Sequence, residues 1–358
     1  MKDGYAGWMT VLDVRPLQDA SRFRGIGTAL RLYLKAHSHT PGLTLLAIKG
    51  GPEFENFGLP ILWFSPPRAA ATSVTYGKVL SVFLRSHHGG HLHFFAQYLV
   101  PESFDFPHSA TIHDLFTPYR GKNPKKDAAL VAAMKSRFVH ATELVAISEF
   151  VKQELVTRLD LNPARIRVDY PKFSWEGFSD HPLPEDAGLL AHCGIRGPYV
   201  LSVGDFEARK NQSGMIAAFL KMNDRMERKY TYVACIGKGV MVPPGLWIKL
   251  RASGRWKEFV FLNYIDHVQI RALYRNAALL SFVSKAEGFG LPVLEGLASG
   301  VPVLTSTTTS LPEVGQDAVA YANPESIDEM AAQMEKVLST PTWVADHVDA
   351  ARRVLTGF

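Results

Sequence analysis

Short hydrophobic runs recur along the chain and alternate with stretches whose apolar positions return every three or four residues. The runs "WMTVLDV" (Trp8–Val14), "LTLLAI" (Leu43–Ile48), "HLHFF" (His91–Phe95), "ATIH" (Ala110–His113) and "LVAI" (Leu144–Ile147) predict buried parallel strands. Helical patterns over Thr28–His37, Lys125–His140 and Ser148–Leu159 lie between them. The pattern breaks over Asp169–Pro198, which carries Pro171, Pro182 and Pro184 and reads as an interdomain connection. A second series then begins. Its strands are Tyr199–Val203, Tyr230–Ile236, Phe259–Leu262, Ala278–Val283 and Val301–Ser306, and its helices are Asn211–Asn223, His267–Asn276, Pro292–Ser299 and Ser326–Leu338. Strand–helix–strand repetition of this kind predicts two α/β, doubly wound, Rossmann-like domains, over residues 1–170 and 171–358.

In such sheets ligands bind beyond the carboxyl ends of strands. The strand Ala278–Val283 is followed by "SKAEGFGLPVLEG". Gly288 and Gly290 permit close backbone approach, and Pro292 suits the first position of a helix, where its missing N–H is not needed. Gly300 and Pro302 end that helix. Val293, Leu294, Leu297 and Ala298 form its apolar face, leaving Pro292, Glu295, Gly296 and Ser299 on the other. Free N–H groups and the positive end of the helix dipole favour an anion such as phosphate. Glu287 stands before that site and Glu295 one turn inside the helix, a disposition that suits a diphosphate with hydroxyl-bearing groups on both sides, as in a nucleotide-sugar. Spacing alone equally allows Glu295 to complement the helix dipole and Glu287 to be a solvated loop charge.

Composition narrows the classes. At 358 residues the chain is long enough for two domains of ~100–200 residues. No apolar run is long enough for a transmembrane helix, and no leader pattern opens the sequence. The two cysteines, Cys193 and Cys235, fit neither a metal site nor a disulfide framework, which points to a reducing, cytoplasmic compartment. The formal charge of +5 suits anionic ligands or an anionic membrane surface, and the lack of a basic–aromatic module argues against nucleic acid.

With these residues in place, the chain resembles the retaining glycosyltransferases of family 4, which have the GT-B fold. "EGFGLPVLE" resembles the family's E-x7-E motif, and "SLPEV" (Ser310–Val314) follows it. "YVLSVGDFEARKN" (Tyr199–Asn211) resembles the strand and loop that bring a lysine to the donor diphosphate, and "FLNYIDHVQIRALYRNA" (Phe261–Ala277) the nucleobase-side segment. "RGIGTAL" (Arg24–Leu30), "TIHDL" (Thr111–Leu115) and "ISEFVKQEL" (Ile147–Leu155) resemble landmarks of the first domain. The resemblance implies that Glu287 meets the donor sugar, Glu295 the ribose, Lys210 with Arg209 the diphosphate, and the amides of Phe289, Gly290 and Leu291 the sugar and phosphate. It implies further that Tyr264 and Ile265 flank the nucleobase, that Gly25 and Gly27 approach the donor phosphate, and that His113 lies near the reacting centre. The pairing of "TIHDL" with "ARKN" and "SLPEV" looks most like the bacterial mannosyltransferases of surface-polysaccharide assembly. They imply GDP-mannose as donor and a glycan or lipid-linked acceptor at the inner face of the membrane, reached through a peripheral membrane contact. Two departures stand out. Asp205 occupies a position where many relatives have arginine, and the final residues "RRVLTGF" leave a returning terminal helix shortened or missing.

Other chemistries are less well supported. "HHGGHLH" (His87–His93) raises the question of a metal, but no acidic or cysteine partner adjoins it. The chain contains no D-x-D triplet, so neither a cofactor nor a metal is expected. "GIGTAL" stands too far from the first strand for a dinucleotide-binding turn, and "GKG" (Gly237–Gly239) lacks Walker spacing. A histidine ending a buried strand, such as His113, is often structural. A nucleotide-sugar epimerase or hydrolase of the same fold, and a non-catalytic sugar-binding protein, remain the alternatives.

Overall fold

A computed structural model describes residues 9–358 apart from 24, 72, 116–123, 175, 238 and 264. The chain divides into two compact units, Met1–Lys172 and Phe173–Phe358.

In the first unit the elements run β1 (Met9–Asp13), α1 (Gly25–Ala36), β2 (Leu43–Ile48), β3 (Ile61–Phe64), α2 (Val74–Ser86), β4 (Gly89–Phe94), β5 (His108–Ile112), α3 (Pro124–Phe138), β6 (Glu143–Ala146), α4 (Glu149–Leu159) and β7 (Ile166–Val168). Among the described residues the strands form a seven-stranded parallel sheet in the order β3-β2-β1-β4-β5-β6-β7. A parallel sheet buried on both faces needs continuous apolar strands, and "LTLLAI" of β2 is such a run. Leu12, Val14, Leu30, Leu34 and Leu45 form a core between β1, β2 and α1.

Three elements of this unit lie outside the predicted pattern. β3 is four residues long and β7 three, the latter with an arginine at its centre, so neither makes a recognisable run. α2 is rich in β-branched residues and contains Gly77, which weakens a helical reading. A Cβ on Gly77 would stand 3.1 Å from Pro101, a tight contact that glycine avoids. α1 starts at Gly25, not Thr28, so both glycines of "GIG" are helical. A Cβ on Gly27 would lie 2.6 Å from the Ser21 carbonyl oxygen, whereas one on Gly25 would meet nothing.

The second unit comprises α5 (Asp186–His192), β8 (Tyr199–Val203), α6 (Gln212–Arg225), β9 (Thr231–Ile236), α7 (Pro244–Ala252), β10 (Phe259–Asn263), α8 (His267–Arg275), β11 (Leu279–Phe282), α9 (Leu291–Ala298), β12 (Val303–Ser306), α10 (Leu311–Gly315), β13 (Ala320–Ala322), α11 (Ile327–Leu338) and α12 (Trp343–Thr356). Its described strands form a six-stranded parallel sheet, β10-β9-β8-β11-β12-β13. Phe219, Tyr232 and Phe259 pack their rings 5.2–5.8 Å apart at the centre of its core, which α12 joins through Trp343.

The predicted connecting segment therefore holds a helix, α5. Its buried Asp186 accepts from Arg275 Nε at 2.7 Å and from Asn276 Nδ2 at 2.7 Å, which fixes α5 to the end of α8. Removing one partner of such a buried pair costs about 3–5 kcal/mol, because the other charge stays desolvated.

The sheet order reverses direction between β8 and β11, so the loops after these two strands open beside each other. The corresponding point of the first sheet lies between β1 and β4.

Candidate active site

The loop after β8 and the loop after β11 meet through charge. Lys210 Nζ donates to both carboxylate oxygens of Glu287, at 2.7 and 2.9 Å. Arg209 Nη1 donates to Glu287 Oε2 at 3.2 Å, while its Nε donates to Glu207 at 3.0 Å. The glutamate is buried and its two cationic partners are partly exposed. The sugar-side carboxylate and the diphosphate-side cations of the sequence reading are thus one hydrogen-bonded cluster.

Backbone hydrogen bonds align the two loops. The Arg209 carbonyl accepts from the Lys285 N–H at 2.7 Å. Asn211, with φ +53°, donates its side-chain amide to the carbonyls of Val283 (3.0 Å) and Pro324 (2.8 Å). Gly204, with φ +136°, lets the chain turn off β8, and a Cβ there would lie 3.5 Å from the Lys210 stem. On the far side, Thr309 Oγ1 accepts from the Glu287 N–H at 3.1 Å. Ser310 Oγ bonds the carbonyls of Glu287 at 2.9 Å and Phe289 at 2.7 Å.

α9 begins where the sequence places it. Gly290 is its N-cap at φ +125°, and Leu291 and Pro292 form its first turn. Phe289 is buried, its ring set edge-on to Phe358 at 5.3 Å. The two-faced reading of the helix needs one correction. A Cβ on Gly296 would lie 2.8 Å from both Leu280 and Val303, so that glycine belongs to the buried face and lets α9 rest on β11 and β12.

Glu295 lies one turn into α9. The buried Tyr274 hydroxyl, from α8, donates to its Oε2 at 2.6 Å. Burial raises the Glu295 pKa, and the Tyr274 hydrogen bond and the charge of Arg271 oppose that rise. Glu295 is therefore a fixed, partnered carboxylate. Ile265, half-buried, directly precedes the capping box in which Asp266 and Gln269 start α8. Tyr264 lies outside the described residues.

Asp205, the departure from arginine, accepts from the Gly237 N–H at 2.8 Å and so ties down the loop after β9. The closing segment of the chain is the fourteen-residue helix α12, which packs on α9.

The remaining candidates belong to the first unit. His113 is buried, its Nε2 is 2.7 Å from the Phe95 carbonyl oxygen, and its own N–H is held by Gln97 at 3.2 Å. Burial pushes its pKa down to about 4, against the Phe95 hydrogen bond, so the ring is neutral near pH 7 and donates from Nε2. A cationic role for His113 does not fit this environment. Gly25 and Gly27 form the first turn of α1, with the closely approached Gly27 serving packing. The histidine run also finds neutral partners: His91 Nε2 and His93 Nδ1 share Ser109 Oγ at 2.8 and 2.7 Å, and His93 Nε2 meets Thr111 at 2.9 Å. Among the described residues no three His, Cys, Asp or Glu side chains converge in a way that would hold a metal.

Tyr274, Asn211, Thr309 and Ser310 were not singled out from the sequence. Tyr274, Asn211 and Ser310 stand inside the quoted motifs, but nothing local reveals the partners of the first two, 21 and 72 positions away.

Two parallel Rossmann-like sheets, the second with a charged cluster at its reversal point and a glycine-capped helix beside it, define a two-unit, doubly wound α/β protein. Residues 196–354 match the family described as "Glycosyl transferases group 1", and this part of the chain is a domain of that family. Over 147 residues the chain is 35% identical to the O-antigen chain mannosyltransferase B of Escherichia coli, covering 40% of this chain and 38% of that protein. The match thus spans well under half of that relative's length. Similar solved structures include Anabaena Alr3699/HepE in complex with UDP and glucose, with a TM-score of 0.72, 14% identity and 98% of both chains covered. Another is WaaG, a glycosyltransferase involved in lipopolysaccharide biosynthesis, with a TM-score of 0.75, 14% identity, and 98% of this chain and 96% of that one covered. The fold is that of the GT-B glycosyltransferases. Among the described residues no helix is long and apolar enough to cross a membrane.

Proposed function

We propose that the chain is a retaining glycosyltransferase of family 4, which moves a hexosyl group from a nucleotide-sugar to a glycan or lipid-linked acceptor. The observation that carries this reading is the cluster of Lys210, Arg209 and Glu287 beside the N-terminus of α9. In glycosyl transfer the sugar gains oxocarbenium character while negative charge grows on the departing diphosphate. Preorganised positive groups at that leaving group make the largest electrostatic contribution. Lys210, Arg209 and the amides at Gly290–Leu291 are the groups for it, Glu287 orients the sugar, and Glu295, held by Tyr274, orients the ribose. His113 serves as a neutral donor or a structural residue. Because the positive field comes from side chains and a helix terminus, transfer proceeds without a divalent cation. Rates after chelation should be unchanged, and a loss restored by Mg²⁺ or Mn²⁺ would overturn that part.

The relative named as an O-antigen chain mannosyltransferase supports mannose as the transferred sugar and a polysaccharide chain as acceptor. GDP-mannose as donor, and transfer at the cytoplasmic face of the membrane, are the finer parts of this proposal. The neighbour bound to UDP and glucose supports a UDP-sugar as the second reading. A thermal-shift screen of nucleoside diphosphates separates them, since a ligand at ~100 times its Kd adds about 2.7 kcal/mol. Transfer is then measured with GDP-mannose and UDP-glucose. Release of free sugar without transferred product would favour a hydrolase. Binding of free sugar without nucleotide would defeat the enzymatic reading.

A further inference from the structure

We infer that the outer face of α7 and the turn after it form a docking surface for an anionic phospholipid bilayer. Leu246 and Leu250 turn toward the core of the second unit. With 3.6 residues per turn, Ile248 faces the opposite way, and it is 65% exposed. A solvent-facing helix ordinarily carries a polar residue there. Trp256, in the turn that follows, is 39% exposed.

Cations are interleaved with these apolar groups. The Arg251 guanidinium lies 5.1 Å from the ring centre of Trp247 and 5.5 Å from that of Trp256, and Lys257 Nζ lies 5.9 Å from Trp256. The result is one continuous array of indoles and cations. The stretch from Met241 to Lys257 contains Lys249, Arg251, Arg255 and Lys257 and no acidic residue. Arg255 is neutralised by Asp224 at 2.7 Å and by Glu258. Among the described residues Lys249, Arg251 and Lys257 have no acidic partner and are exposed.

Charge complementarity calls for an anionic partner, and the apolar components select its kind. Tryptophan has an apolar body and one N–H, which suits the headgroup level of a bilayer. An outward isoleucine gains nothing from a soluble polyanion but gains from the acyl boundary. Exposed apolar groups mixed with Lys and Arg are the pattern of helices that lie in a membrane interface. α7 joins the two strands at one edge of the second sheet, so such contact would hold the group 1 domain itself at the surface. The inference does not depend on the donor or acceptor assignment.

The test is co-sedimentation of the full chain with vesicles of phosphatidylglycerol and phosphatidylethanolamine, compared with phosphatidylcholine alone. Wild type should bind the anionic vesicles and not the neutral ones, with binding falling roughly tenfold as salt rises from about 0.1 to 0.5 M. The double variant Lys249→Glu/Lys257→Glu should lose about tenfold or more, and Ile248→Ser a severalfold part, both with unchanged circular dichroism and unfolding temperature. Absence of wild-type binding, or variants that bind as well as wild type, would overturn the inference. So would full binding by Ile248→Ser together with displacement from the vesicles by dextran sulfate, which would assign the surface to a polyanionic glycan. A change in nucleotide-sugar transfer without a change in vesicle binding would also speak against it.

Discussion

Lys210 Nζ stands 2.7 Å from Glu287 Oε1, although 77 positions separate the two residues. On the proposed donor site, the carboxylate would compete with a bound diphosphate for the same ammonium group. Glu287→Gln should release that cation and leave nucleoside diphosphate binding equal or tighter, while transfer falls by about 10²–10³. Lys210→Ala should weaken diphosphate binding and lower turnover by a similar factor, since charge on the leaving group grows toward the transition state. Calorimetry paired with transfer rates checks both. Weaker nucleotide binding in Glu287→Gln would show that the ion pair shapes the loop and is not a competitor.

Tyr274 holds Glu295 through one hydrogen bond of 2.6 Å, and a bond to a charged group is worth about 1.5–3 kcal/mol. If Glu295 grips a part of the donor that does not react, Tyr274→Phe and Glu295→Gln should raise the donor KM by about tenfold or more with little change in kcat. Equal losses in kcat for both variants would contradict the ribose assignment.

Gly290 caps α9 at φ +125°, where a Cβ would lie 2.7 Å from Leu311. Gly290→Ala should lower the unfolding free energy by about 1–3 kcal/mol and displace the amides at Phe289–Leu291. Denaturant unfolding measures the first effect and nucleotide affinity the second. An unchanged variant would mean that the turn relaxes without strain.

Acid sensitivity should come from the first unit. Burial lowers the pKa of His93 to about 3 and those of His108 and His113 to about 4, from an ordinary 6.5. The unfolded chain then binds protons that the folded unit refuses. Stability is fully present above pH ~6.5 and is lost as pH falls toward 4 and below. His113→Gln should flatten that part of the curve of Tm against pH. A curve identical to wild type would remove His113 from the account.

Much of this molecule was legible in the chain. Short continuous apolar runs gave most strands, because a strand buried on both faces needs them whatever its neighbours. Gly290, Pro292 and Gly300 marked α9, because helix ends impose local dihedral requirements that few residues meet. The apolar run before it placed Glu287 in the loop beyond β11, while Lys210, in the loop after β8, was indicated by the resemblance of "YVLSVGDFEARKN".

The sequence could not show that these strands adjoin, nor that the sheet reverses between them, since strand order depends on packing across the whole unit. That order alone turns Lys210, Arg209 and Glu287 into one cluster, gives Glu295 its tyrosine, and sets Gly296 against Leu280 and Val303. β3 and β7 escaped notice because three or four residues carry too little pattern, and a neighbouring strand supplies their stability. His113 shows the same division. Its place at a strand end is written in the sequence, but its neutrality is decided by burial, against the opposing pull of the Phe95 carbonyl, and only the folded chain supplies either.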